Sequence, residues 1–195
     1  LTFYESPVSL DDVQILEMNS EDALNLIRSD FKIKNSMIKN SFSDCLDIDF
    51  GKGSIKDSSF IRCGNDALDF SGSDVNITNT DILDIGDKGI SFGEKSNANI
   101  NNIDINKGYI AIASKDKSDI SLNNIRISNV DYGLAVYQKK PEFGSASIST
   151  ININISDVIE DYIVEEESTL LIDNKPIINK ENKVFDILYW QNNGW

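Results

Sequence analysis

The chain contains no histidine. That absence excludes Ser-His-Asp catalysis, histidine-ligated zinc and a histidine pH switch. Cations are also scarce: 18 Lys and Arg stand against 32 Asp and Glu, leaving a net charge of −14. A nucleic-acid backbone or an anionic membrane surface requires clustered Lys and Arg, so neither is expected as a partner. No apolar run is long enough to cross a bilayer, and no membrane insertion is expected. Only two cysteines occur, Cys45 and Cys63. The alignment given below turns Cys63 inward and puts Cys45 among small residues, which predicts free, inert thiols rather than a disulfide. The chain begins at Leu1 with neither an initiator Met nor a signal-peptide pattern, which reads as a trimmed or processed piece of a longer chain.

What is present is a repeat. The strings SEDALNLIRSDF, FSDCLDIDFGKG, GNDALDFSGSDV and GDKGISFGEKSN align so that Asp22, Asp44, Asp66 and Lys88 share a column with a period of 22 residues. Leu24, Leu46, Leu68 and Ile90 form a second column, which Ile112 and Leu134 continue. Leu26, Ile48, Phe70, Phe92, Ser114 and Val136 form a third. Two further apolar columns run through Leu10, Ile33, Ile55, Ile77, Ile100 and Leu122, and through Ile15, Ile38, Phe60, Ile82, Ile105 and Ile127. Within each coil these positions alternate with polar residues, the period of a half-buried strand. The many Ile, Val, Phe, Asn, Asp and Ser disfavour helix. A strand pattern recurring at this period predicts stacked β coils, each burying its apolar side chains against the next. The fold class expected is all-β: a right-handed parallel β-helix of about seven coils over residues 1–171.

Asp12, Asn35, Asp57, Asn79, Asn102 and Asn124 each follow an inward aliphatic by two residues. Such a column suits a tight left-handed turn, with side chains hydrogen-bonding along the stack. The segment QKKPEFGSA interrupts one coil and is expected to protrude. The repeat pattern stops after Leu171, and residues 172–195, which hold both Trp residues, are expected to form a C-terminal cap.

The outward positions define the candidate site. Asp47 and Asp49 face away from the core, with Asn25, Asp69 and Ser91 in the Asp47 column. Ser71, Gly93, Lys115 and Tyr137 lie in the Asp49 column. One face therefore carries carboxylates toward its N-terminal half and Lys88, Lys115, Lys139 and Lys140 toward its C-terminal half, flanked by Glu94 and Asp116. Carboxylates stacked about 4.8 Å apart repel one another. Raised pKa values, lysine partners or a bound cation relieve that repulsion. Asp22, Asp44, Asp47, Asp49, Asp66 and Asp69 are the candidate calcium ligands, since calcium takes six to eight oxygens. The alternative is a solvated acidic face, or Asp side chains that cap turn amides. For catalysis, β-elimination on a uronate glycan would use Lys115 or Lys88 as base and Tyr137 as acid. Asp47, Asp69, Glu94, Lys139 and Lys140 would then contact the substrate. As a binding module, an elongated flat surface with Tyr109, Tyr132, Tyr137 and Phe143 could stack on sugar rings, the alternative for Tyr109 and Tyr132 being simple packing near turns.

GNDALDFSGSDVNI, GDKGISFGEKS, IAIASKDKSDISLNN and YQKKPEFGSASI resemble the β-helix repeats of the pectate-lyase-like superfamily. They look most like the C-terminal β-helix region of large secreted or surface bacterial proteins, some of which carry a spore-coat-H-type kinase-like domain. The resemblance implies the fold and an extracellular or cell-surface location. It is also loosely similar to polygalacturonases, whose Asp-bearing motifs would fall near Asp44, Asn65-Asp66 and Asp87. The paired-Asp motif reads Asn65-Asp66 here, the Gly-His-Gly motif reads Gly86-Asp87-Lys88-Gly89 and the Arg-Ile-Lys motif is absent, which argues against pectin hydrolysis. The expected role is a carbohydrate-associated module that binds a polysaccharide or cell-surface glycan, with calcium as candidate cofactor. A uronate lyase or epimerase and a structural spacer or adhesin segment are the alternatives.

Overall fold

Apolar residues at every second position form strands, and Asn, Asp and other polar residues between them form corners. In the computed structural model, which describes residues 1–178 and 180–189, the first coil is β1 (Thr2–Tyr4), β2 (Val8–Asp11) and β3 (Gln14–Leu16). The second is β4 (Asp22–Ile27), β5 (Phe31–Lys34) and β6 (Met37–Ser41). From the third coil onward strands merge around corners: β7 (Asp44–Asp49), β8 (Lys52–Cys63), β9 (Leu68–Ser71), β10 (Asp74–Ile85) and β11 (Lys88–Gly93). The longest, β12 (Asn97–Lys115) and β13 (Asp119–Tyr137), each close one coil and open the next. β14 (Ser147–Ser156), β15 (Glu160–Val164) and β16 (Thr169–Ile172) finish the stack. The short β17 (Lys175–Pro176) then turns back antiparallel on β16.

All the other strand pairs are parallel, and the register is the one the repeat predicts. Leu24 lies beside Leu46, Leu46 beside Leu68, Leu68 beside Ile90, Ile90 beside Ile112 and Ile112 beside Leu134. The molecule is a parallel β-solenoid of about eight turns rather than seven. The stack begins with β1, β2 and β3, which pair with the second coil.

The core is a stack of like on like. The Leu24-to-Leu134 and Leu26-to-Val136 columns are fully buried, and Phe70 stacks on Phe92 with ring centroids 5.0 Å apart. Each large aliphatic or aromatic side chain removed from water this way contributes about 1.5–3 kcal/mol.

Corners fall into ladders of left-handed residues. Asp12, Asn35, Asp57, Asn79, Asn102 and Asn124 all have φ between 49° and 59°. Asn79 Nδ2 donates to Asp57 Oδ1 at 2.9 Å, and Asn102 Nδ2 to Asn79 Oδ1 at 2.9 Å. A second corner ladder runs through Glu17, Asn40, Arg62, Asp84, Lys107 and Asn129. Its mixed side chains hide it in the sequence. A left-handed non-glycine residue costs roughly 1 kcal/mol, and backbone hydrogen bonds to the neighbouring coils offset it.

Cys45 and Cys63 are not free thiols: they form a disulfide with Cα atoms 5.4 Å apart. Both side chains are buried, as expected, and Cys45 does sit in a column of small residues with Ala23, Ala67 and Ala111. Eighteen residues of separation carry the chain almost once around a coil. Two inward positions at the start and end of one coil therefore meet across its interior. The columns identify inward positions but not which ones face each other.

After β17 the chain lays Glu181 beside Glu165 on the last coil. The helix α1 (Val184–Tyr189) then packs against the side of the solenoid rather than its end. Val184 and Leu188 are buried there among Ile110, Ala113, Ala135, Tyr137 and Ile163. Trp190 and Trp195 of the expected cap lie outside the described residues.

Candidate functional site

The side of the solenoid built from β1, β4, β7, β9, β11 and the ends of β12 and β13 carries every sequence-derived candidate. Its outward columns have the expected register. Asn25 lies beside Asp47, Asp47 beside Asp69 and Asp69 beside Ser91, while Asp49 lies beside Ser71 and Lys115 beside Tyr137. These side chains are less exposed than outward positions usually are. Asp47, Asp49 and Asp69 are half-buried, and Asp66, Lys88, Lys115 and Tyr137 are buried.

The carboxylates are relieved in three ways. Asn25 Nδ2 bridges Asp22 Oδ2 at 2.8 Å and Asp47 Oδ2 at 3.0 Å. Asp44 and Asp66 cap the next coil: Asp44 Oδ1 accepts from the Asp66 amide at 2.8 Å, and Asp66 Oδ1 from the Lys88 amide at 3.0 Å. Asn65 Nδ2 also donates to Asp44 Oδ1, at 2.7 Å. Finally, Lys88 Nζ lies 3.2 Å from Asp66 Oδ1 and pairs with Asp87 as well. Burial opposes the charge on Lys88, but Asp66 and Asp87 outweigh it, so its pKa rises and it stays an ammonium. Burial also raises Asp66.

Asp47 has only neutral Asn25 as a hydrogen-bond partner, and its pKa is pushed up to about 8 by burial and then by Asp49, Asp69, Asp22 and Asp44. Burial raises Asp44 and Asp49 too, with Glu94 adding to the effect on Asp49. Among the described residues no group of three or more Asp, Glu or Cys side chains is arranged as a metal cluster.

Further along the same face lies a pocket of about 350 Å³. Asp66, Asp69 and Asp87 line one part of it, Lys88, Lys115 and Lys139 another, and Tyr137, Phe185 and Tyr189 the rest. Helix α1 supplies one wall. Tyr189 donates its hydroxyl to Asp87, at 3.1 Å from Oδ1 and 3.2 Å from Oδ2. Lys88 Nζ stands 5.5 Å from the Tyr189 ring centre, and Lys139 Nζ 5.6 Å from that of Phe185. The insertion supplies Lys139. Asp116, itself buried, accepts the backbone amides of Lys139 at 2.7 Å and Lys140 at 2.6 Å and so fixes the start of that loop. Lys140 pairs with Glu94 beside the pocket. Lys95 stands over the Phe143 ring at 5.6 Å.

Lys115 is set differently from the other lysines. Its stem passes Gly93, where a Cβ atom would stand only 3.8 Å from Lys115 Cε. Its Nζ donates to Ser91 Oγ at 2.7 Å. Among the described residues no carboxylate oxygen lies within 4.0 Å of it. Burial lowers its pKa, an effect that Asp69 opposes and Lys88 reinforces. The Tyr137 hydroxyl is buried beside that of Tyr189, its nearest polar partner. Burial raises its pKa well above the ordinary value, so it remains a phenol.

The structure thus brings Lys88, Lys115, Tyr137, Asp66, Asp69 and Lys139 together around one pocket. It leaves Asp22, Asp44, Asp47 and Asp49 on the coils N-terminal to it, and Glu94 with Lys140 at its side. Phe185 and Tyr189 were not singled out from the sequence, and Asp87 entered only through the loose similarity to polygalacturonases. The available signal was the apolar spacing in VFDILY: Val184 with Leu188 and Phe185 with Tyr189, each four apart, the stripe of a packed helix. A larger concavity of about 720 Å³ lies near Tyr132, Tyr162 and Ile187, and among the described residues its lining includes no Lys or Arg.

No protein-family model matches the chain, and no curated protein matches it. Among solved structures it is similar to the Agl-KA catalytic domain, with a TM-score of 0.61 and 15% identity, covering 84% of this chain and 41% of that one. The catalytic domain of GH87 α-1,3-glucanase in complex with nigerose matches with a TM-score of 0.36 and 13% identity, over 84% of this chain and 48% of that one. The chain spans less than half the length of either structure. At these identities the likeness to Agl-KA shows the fold alone.

Proposed function

We propose that this β-solenoid is a carbohydrate-binding module of a secreted or cell-surface protein, and that it holds a glycan in the pocket between the coils and helix α1. The observation that carries this reading is the mixed chemistry of that pocket, where ammonium groups, carboxylates and aromatic rings converge within about 350 Å³. A sugar hydroxyl both donates and accepts hydrogen bonds, and a sugar ring offers an apolar face to an aromatic side chain. A pocket with few but convergent polar groups beside aromatic walls suits such a ligand. The Cys45–Cys63 disulfide supports an extracellular or surface location, since disulfides persist in oxidising compartments.

Calcium belongs to the same proposal as a bridging ion. Asp66 is engaged by Lys88 and Asp44 by Asn65 and a backbone amide. The carboxylates that neither cap a backbone amide nor pair with a lysine, and that would share a calcium ion with a glycan, are Asp22, Asp47, Asp49 and Asp69, of which Asn25 bridges the first two. The test is calorimetric titration with neutral and acidic oligosaccharides, with calcium and with chelator. Binding that weakens tenfold or more in Asp69→Asn and in Lys139→Ala is the expected result. No binding by any oligosaccharide class would leave the spacer reading in its place.

A further inference from the structure

We propose that Lys115 is a carbonyl-reactive amine, and that the pocket takes the open-chain aldehyde or ketone end of a sugar and joins it to Lys115 as an imine. This rests on the carbohydrate reading of the same pocket and adds a covalent step to it.

Three geometric observations lead here. First, the Lys115 amine is buried and faces Ser91 Oγ at 2.7 Å instead of a carboxylate. A buried ammonium is ordinarily paired, and Lys88, two columns away on the same face, is paired with Asp66 and Asp87. Second, Lys88 and Lys139 line the same pocket. Burial is the largest effect on Lys115, and Lys88 and Lys139 add to it while Asp69 and Asp66 of the same pocket oppose it; a lysine desolvated in this way gives up its proton more readily and becomes a nucleophile. The lowered pKa of Lys115 agrees with that placement. Third, Tyr137 is the direct strand neighbour of Lys115, and its hydroxyl is buried in the pocket wall beside that of Tyr189. The pocket therefore holds a phenol beside the amine, placed to donate a proton to a ligand oxygen.

The step balances without an oxidant or reductant. The neutral Nζ adds to the carbonyl carbon, and the carbonyl oxygen takes a proton from the Tyr137 hydroxyl. The first proton shed by nitrogen returns to Tyr137, giving the carbinolamine, and the second leaves with the hydroxyl as water, so that Tyr137 ends as it began. Amine and carbonyl become imine and one water. Tyr137 retains its proton until it is drawn on because burial raises its pKa.

The experiment uses D-glyceraldehyde, a triose that cannot close a ring, with cyanoborohydride to trap the imine. Peptide mapping then compares Lys115 with the exposed Lys32 and Lys52. Lys115 is expected to be alkylated at least tenfold faster than either, with its rate rising toward a plateau below the pH at which theirs do. Tyr137→Phe is expected to slow that labelling about tenfold while leaving the melting temperature close to that of the parent. Lys115→Met, checked by melting for retained fold, should remove the adduct. Labelling of Lys115 no faster than of Lys52 overturns the inference. Oligosaccharide binding in calorimetry without such labelling removes this inference alone. Absence of both removes the carbohydrate reading as well.

Discussion

Asp47 is the residue where the cost of the repeat is concentrated. In an unfolded chain an Asp ionises near 3.8, whereas folded Asp47 ionises near 8. Between those values the folded state keeps a proton that the unfolded state has lost. The resulting stabilisation is complete below pH 4 and is lost as the pH rises through 8. Asp44, Asp49 and Asp66 shift in the same direction. The melting temperature is therefore expected to fall between pH 5 and pH 9. Asp47→Asn should flatten that slope and stabilise the protein at pH 9 by of order 2 kcal/mol, after allowing for the solvent contact Asp47 retains. An unchanged slope in this variant would show that Asp47 is ionised throughout. Tyr137 makes the opposite kind of residue-level prediction. Its hydroxyl has only that of Tyr189 beside it as a partner, so Tyr137→Phe should change stability by no more than about 1 kcal/mol, read as a melting temperature close to that of the parent.

At the scale of elements, two connections bind parts that the repeat alone leaves independent. The disulfide closes one coil across 18 residues, and a loop of that size contributes roughly 3 kcal/mol by restricting the unfolded chain. Cys45→Ala with Cys63→Ala should lower the melting temperature by roughly 6–12 °C, and reductant should do the same to the parent but not to the variant. Helix α1 is the second connection. It is six residues long, too short to hold its shape in water, so its docking depends on Val184, Leu188 and the aromatic contacts. Leu188→Ala removes a buried side chain at a cost of about 2–5 kcal/mol. The expected result is local release: amides of α1 exchange faster and the pocket wall opens, while the solenoid melts within a few degrees of the parent. Collapse of the whole β structure in that variant would make α1 part of the folding core.

For the whole molecule, the stack of coils and the net charge of −14 act against each other. Each added coil extends the core, and each also brings carboxylates into register with those of the coil before. Exposed ion pairs such as Lys107–Asp84 at 2.8 Å and Arg126–Asp104 at 2.8 Å are worth little individually. Self-repulsion should therefore dominate, and raising sodium chloride from 10 to 150 mM should raise the melting temperature by screening it. A fall in melting temperature with salt would mean that the lysine–carboxylate pairs around the pocket outweigh the repulsion. The same alignment creates the site. Because like positions stack about 4.8 Å apart, a Lys, a Tyr and several Asp residues scattered over 70 residues of chain arrive on one face.

The amino-acid sequence by itself determined the class of fold and its register. Leu24, Leu46, Leu68 and Ile90 recur at the coil length, and a side chain that alternates in and out of a strand can be placed from that recurrence alone. Asp12 through Asn124 were equally legible as a corner ladder, since Asn and Asp tolerate left-handed backbone. The outward columns that carry Asp47, Asp69, Lys115 and Tyr137 followed from the same alternation. Contacts between columns were not legible. Periodicity orders residues along the stack but carries no information across the coil, so the Cys45–Cys63 pairing was decided by the tertiary structure. The tail departs from the repeat, and only its packing turned α1 onto the side of the solenoid. That packing buried Lys88, Lys115 and Tyr137 and changed an open charged face into a pocket, because burial depends on what lies above a side chain as well as on which way it points.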